Sequence, residues 1–168
     1  MGEEGGGWMV AMKTLEYERG VTAGQASGYW GVTIQVDDMN EALTKLENDG
    51  EPLQSDTVVR DDLVGFIMEA KALSLTGRRS GIPALTSDYP MGLALSVKYR
   101  GTEYERRMKQ YTASKQGAQS ALYVGDADAV SGGFWQRAYF SNFGATIGGG
   151  TTQVQANIVA EHVLGLPK

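Results

Sequence analysis

The 168-residue sequence predicts an all-α chain, a four-helix up-and-down bundle with additional short helices, and three observations lead there. Apolar residues recur at spacings of three and four along several long segments. No stretch alternates apolar and polar residues for long enough to build a sheet. Gly-, Pro- and Asp-containing stop signals separate the periodic segments. The chain has no internal repeat at a fixed period. With 42% apolar and 21% charged residues the composition is that of a chain that folds, and its length suits one core. A single domain over residues 1–168 is expected.

The first seven residues form a Gly/Glu turn, after which Trp8, Met12 and Leu15 mark a helical stripe. It continues through Tyr17, Val21 and Ala23 into Gly28. There glycines and the β-branched Val32, Thr33 and Ile34 lower helix propensity, so the first long helix is open to interruption over Gly28–Val36 before MNEALTKLEND resumes a helical composition. In NDGEPLQSD, Gly50 suits a helix C-terminus, Pro52 cannot continue the helix, and Ser55 or Asp56 can cap the next one. That second helix carries Val59, Leu63 and Ile67, with Val64 and Met68 beside them, as one broad apolar face that fades at Gly77. Pro83 and Pro90 bound a loop. A third helix from Met91 aligns Leu93, Val97, Tyr104, Met108 and Tyr111. A polar stretch from Ser114 to Gly133 leads to FWQRAYFSNFG, the IGGG cluster, and a last helix carrying Val154, Ile158, Val159 and Val163.

Composition narrows the chemistry. Without cysteine, disulfides, zinc–thiolate sites, iron–sulfur clusters and a cysteine nucleophile are excluded. His162, the one histidine, leaves little for a metal cage, so no metal is expected. No apolar run approaches the roughly 18–20 residues of a membrane span, and MGEEGGGW lacks the features of a signal peptide, which makes a cytoplasmic location the simplest expectation. The net charge of −5 opposes non-specific nucleic-acid binding, so an anionic ligand has to be held by local groups. Glycines 148–150 followed by Thr151-Thr152 precede the last helix, an arrangement that offers backbone N–H groups and a positive dipole end.

The ending FWQRAYFSNFGATIGGGTTQVQANIVAEHVLGLPK resembles the C-terminus of acyl-CoA dehydrogenases, with its Gly-Gly-Thr turn, Gln-containing helix and Leu-Gly-Leu-Pro finish. The beginning, GEEGGGWMVAMKTLEYERG, resembles the point where that family's β-domain hands over to its C-terminal bundle. The family's N-terminal and β-domains have no counterpart here, so the chain is expected to be a fragment, an isolated domain or one product of a split gene. The resemblance implies α,β-dehydrogenation of an acyl-CoA thioester with hydride transfer to FAD. The partners it implies are acyl-CoA and the remaining dehydrogenase domains or a partner subunit, in a homo- or hetero-oligomer.

The resemblance also assigns residues. Many members keep the catalytic glutamate just before the Gly-Thr of the last turn, where this chain has Gly149. Others carry it in a Glu-Arg pair on the first bundle helix, and LEYERG supplies Glu18 and Arg19, making Glu18 the candidate base. Burial beside a bound acyl chain would raise its pKa toward neutral and favour proton abstraction. The structural alternative for Glu18 is a solvated or ion-paired helix residue. Arg19 is expected either beside the substrate or anchoring a neighbouring helix. Glu16 points to another face and is read as structural. Gly149 retains a backbone N–H that can polarise the thioester carbonyl, and flavin contacts fall at Gly150, Thr151, Thr152 and Gln153. Two departures bear on the flavin: Ala156 replaces the usual Arg, and the Arg-x-x-Phe-Gly stretch that holds a neighbouring subunit's flavin is missing. Loss of the turn carboxylate and of that Arg stretch supports the rival expectation, a non-catalytic bundle that assembles with a complete partner, whereas the retained Glu18-Arg19 pair supports the enzyme. Trp135, Tyr139 and Phe140 are expected in the core, and His162 on the surface of the last helix or at a subunit contact. Apolar helix faces left uncovered should make the chain self-associate.

Overall fold

The computed structural model describes residues 4–14, 27–48, 50–79, 81–85 and 91–167. Its helices are α1 (residues 7–14), α2 (Ser27–Lys45), α3 (Thr57–Arg79), α4 (Met91–Ser114), α5 (Phe134–Ile147) and α6 (Thr152–His162). The all-α expectation holds. Among the described residues the exception is a two-residue hairpin, β1 (Glu47–Asn48) with β2 (Glu51–Pro52), paired antiparallel between α2 and α3.

Helix α2 runs unbroken through Gly28–Val36, where interruption was expected. A glycine costs a helix interior only about 1 kcal/mol, and packing further along offsets it, because Val36, Met39, Ala42, Leu43 and Leu46 are all buried. The helix ends at Lys45, and Gly50, with φ +82, lies in the hairpin turn instead of at a helix C-terminus. A 2.7 Å hydrogen bond from Leu53 N to Leu46 O closes this reversal. Asp56 caps α3, its Oδ1 accepting from Val58 N and Val59 N at 2.8 and 3.2 Å, while Ser55 donates to Pro52 O.

The broad apolar face expected on α3 divides in two. Val59, Leu63, Ala70 and Leu73 are buried, whereas Val64, Ile67 and Met68 face outward, Met68 at 67% exposure. The buried set joins Met39, Leu43, Tyr104, Met108 and Trp135 in one core. Tyr104 is fully buried and donates to Phe66 O at 3.1 Å, which fastens α4 to α3.

Helix α4 is the spine of the bundle. Tyr111 pairs with Asp62, and Arg107 with Glu69, so α3 and α4 run antiparallel. Gln116 pairs with Gln136 and Lys109 with Asn142, so α5 descends α4 from its C-terminal end. Glu103 meets Thr152 and Gly92 meets Val163, so α6 continues the descent to the N-terminal end. The fourth helix of the bundle is thus two helices, α5 and α6, broken at glycines 148–150. The α4–α6 approach is close: a Cβ on Gly92 would lie 2.4 Å from Val163 Cγ2.

The core assignment separates two aliphatic positions that periodicity alone treats alike. Leu43→Ala should cost about 2–5 kcal/mol in urea unfolding through the cavity it leaves. Val64→Ala, on the outward face of α3, should change stability by less than about 0.5 kcal/mol. Equal losses at both positions would contradict this core.

Candidate functional site

The break between α5 and α6 is built from glycine because the backbone demands it. Gly149 and Gly150 have φ of +68 and +104, a region that side-chain-bearing residues rarely adopt. Gly148 N closes α5 by donating to Gly144 O at 2.8 Å, and Gly150 N donates to Ile147 O at 3.1 Å. The chain then enters α6 through Thr151, whose Oγ1 accepts from Val154 N at 3.3 Å as an N-cap.

Three side chains outside the glycines hold this turn. Lys98 Nζ, from α4, donates to Gly150 O at 2.6 Å. Gln155, 1% exposed, donates through Nε2 to Gly149 O at 2.5 Å. Thr152 Oγ1 donates to Glu103 Oε1 at 2.9 Å, and Arg106 completes the surroundings of that carboxylate at 3.0 Å. Burial works against the charge on Glu103, but the hydrogen bonds from Thr152 and Arg106, with the positive fields of Arg106 and Arg107, outweigh it and hold its pKa below the ordinary carboxylate value.

The sequence-based site residues therefore divide. Gly149, Gly150, Thr151, Thr152 and Gln153 come together at one place, the N-terminus of α6, where the first backbone N–H groups have no intrahelical acceptor and the helix dipole is positive. Thr151 keeps a hydroxyl proton to donate after serving as the cap, whereas the Thr152 hydroxyl is committed to Glu103. Glu16, Glu18 and Arg19 lie outside the described residues. Of the aromatics, Trp135 is in the core as expected, Tyr139 is half-buried, and Phe140 is 62% exposed, its ring lying against Tyr123 and Tyr139 instead of in the core. His162 is exposed on α6.

Lys98, Glu103 and Gln155 hold the candidate site, and periodicity does not reveal them. Lys98 and Glu103 read as solvated charges on an amphipathic helix. Gln155 occupies the buried face of α6 while Val154 beside it is 44% exposed, the reverse of the apolar stripe expected there. The signal for Gln155 was its place in the TQVQ stretch that carries the resemblance.

The turn can accept a ligand rich in hydrogen-bond acceptors, such as an anion or a polarised carbonyl. Two glycines where a Cβ would be strained and a capped helix start leave the backbone here open to the close approach of such a ligand. Among the described residues no helix is long and apolar enough to cross a membrane.

Comparison with known proteins agrees. The family model for the acyl-CoA dehydrogenase C-terminal domain matches residues 5–164. The acyl-CoA dehydrogenase IpdE1 of Mycolicibacterium smegmatis is 31% identical over 170 residues, an alignment covering 100% of this chain and 39% of that protein. IpdE1 of Mycobacterium tuberculosis is 29% identical, over 100% of this chain and 40% of that protein. The chain thus spans about two fifths of the length of these relatives. Among solved structures, a Tcur3481–Tcur3483 steroid acyl-CoA dehydrogenase variant superposes with a TM-score of 0.76 at 24% identity, over 99% of this chain and 42% of that one. The ChsE4–ChsE5 complex of Mycobacterium tuberculosis gives 0.69 at 22% identity, over 85% of this chain and 36% of that one. These two likenesses establish the fold.

The Thr152–Glu103 contact joins α6 to α4, and its contribution has a defined pH dependence. A carboxylate whose folded pKa is depressed stabilises the fold above its unfolded pKa and loses that contribution as pH falls through the folded value. The wild-type chain should lose stability below the ordinary carboxylate range, and Glu103→Gln should flatten that acid limb in pH-dependent thermal unfolding. An unchanged acid limb in the variant would remove Glu103 from this role.

Proposed function

Because the chain belongs to the acyl-CoA dehydrogenase family, as its C-terminal domain, we propose that it supplies one wall of a site for α,β-dehydrogenation of an acyl-CoA thioester. The observation that carries this is the glycine turn at the start of α6, with its carbonyl oxygens drawn toward Lys98 and Gln155 and its capped helix end open to an acceptor-rich ligand. Gly150, Thr151, Thr152 and Gln153 would hold FAD, which when bound supplies the hydride acceptor. The turn contributes hydrogen-bond donors and the positive end of α6. Gly149 would sit where the thioester carbonyl is polarised, so that charge developing on its oxygen is stabilised.

Proton removal from the substrate α-carbon falls to Glu18, with Arg19 beside it as a substrate-binding group. The acyl pocket and the rest of the flavin site would come from the remaining dehydrogenase domains or from a partner subunit, in an oligomer. The steroid dehydrogenase and the ChsE4–ChsE5 complex among the fold relatives are consistent with a bulky acyl group and a two-chain assembly, respectively.

A second reading has its own support. Gly149 stands where many family members carry the catalytic carboxylate. The outward faces of α3 (Val64, Ile67, Met68 and Leu75) and α5 (Phe140, Phe143 and Ile147) are apolar, as a subunit that serves assembly requires. On that reading the chain packs against a complete partner and its own turn binds no flavin.

One experiment separates the two: the visible absorption spectrum of the assembled protein, followed by turnover of its Glu18→Gln variant. The dehydrogenase reading expects bound flavin and a fall in turnover of about 10²–10⁴-fold, the usual worth of a positioned general base. Turnover unchanged by Glu18→Gln would leave the assembly reading.

A further inference from the structure

The way the glycine turn is tied determines which of its N–H groups can reach a ligand. In a trans peptide the C=O and N–H point in opposite directions. The Gly149–Gly150 peptide is tied at both ends, its oxygen by Gln155 Nε2 at 2.5 Å and its N–H by Ile147 O at 3.1 Å. Gln155 is 1% exposed, and its other amide atom, Oε1, is buried with no hydrogen-bond partner among the described residues. The Gly150–Thr151 peptide is tied on its carbonyl side by Lys98 Nζ at 2.6 Å. Its N–H, that of Thr151, is therefore turned away from Lys98 and from α4, and no carbonyl among the described residues accepts from it.

We propose that Lys98 is a positioning residue for the flavin: by capturing Gly150 O it turns the Thr151 N–H outward as a donor to a flavin acceptor atom. This rests on the dehydrogenase reading above and adds a residue on α4 that the motif does not contain. The need for such a hold follows from the backbone. Gly150, at φ +104, has few steric limits, so the peptide after it is free to rotate unless something grips its oxygen. A flipped peptide would present a carbonyl oxygen to the flavin where a donor is required. Lys98 reaches the turn from a different helix, so its grip also sets the distance between the turn and α4.

The test uses the full assembly carrying this chain, stripped of flavin and titrated with FAD. Lys98→Met should weaken FAD binding at least tenfold while the melting temperature of the flavin-free assembly stays at the wild-type value, and Lys98→Arg should restore binding to within about threefold, since a guanidinium can donate to the same oxygen. A separate pair guards against a Lys98 variant that does not assemble. Thr151→Ala removes the cap and keeps the N–H, whereas Thr151→Pro removes both and fits φ −62. The Pro variant should bind FAD at least tenfold more weakly than the Ala variant. Wild-type binding by Lys98→Met, or equal binding by the two Thr151 variants, overturns the positioning role alone. A wild-type assembly that takes up no FAD overturns it together with the dehydrogenase reading.

Discussion

Everything at the glycine turn depends on a broken helix being kept against α4 by polar contacts. Lys109, 9% exposed, lies between Glu105 at 2.8 Å and Asn142 Oδ1 at 2.7 Å, and Asn142 Nδ2 donates onward to Thr102 O at 3.0 Å. Toward the C-terminal end of α4, Gln136 donates to Gln116 at 2.5 Å and to Gln119 O at 3.3 Å. Buried polar groups are costly unless bonded, so these pairings admit few alternative registers of α5 on α4. A continuous apolar seam would hold the helices together without specifying where along α4 the break must fall.

That register puts the break between two charged residues of α4. Lys98 takes the carbonyl of Gly150 and Glu103 takes the hydroxyl of Thr152, one on each side of the Thr151 cap. The net charge of −5 is no obstacle to an acceptor-rich ligand here, because oriented backbone N–H groups, a helix dipole and a nearby ammonium set the local field. The close packing of Gly92 against Val163 holds the far end of α6, so the turn is fixed from both directions.

Where burial is apolar, the sequence showed the fold plainly. Val97, Tyr104 and Met108 on α4 are buried as their spacing implied, and so are Val59 and Leu63 on α3. Helix α5 was legible only as an aromatic-rich segment, because its buried positions are Trp135, Gln136 and Asn142, and two polar residues out of three leave no stripe to detect. The same cause hid Gln155 on α6. The outward Val64, Ile67 and Met68 show the opposite limit: periodicity identifies an apolar face without saying what covers it. At the site, the glycine turn and its threonines could be read from the motif. Lys98 and Glu103 could not, since their meaning comes from contacts 52 and 49 residues away along the chain.

The most direct measurement is the unfolding free energy of Asn142→Leu, a change that keeps the number and branching of side-chain heavy atoms and removes the amide. If polar contacts hold the fourth helix in place, the variant should lose about 2 kcal/mol or more, because the Lys109 ammonium loses an acceptor and the Thr102 carbonyl a donor, both in buried surroundings. A variant as stable as the wild type would show that apolar packing alone keeps α5 on α4, and the polar register would not be what places the turn.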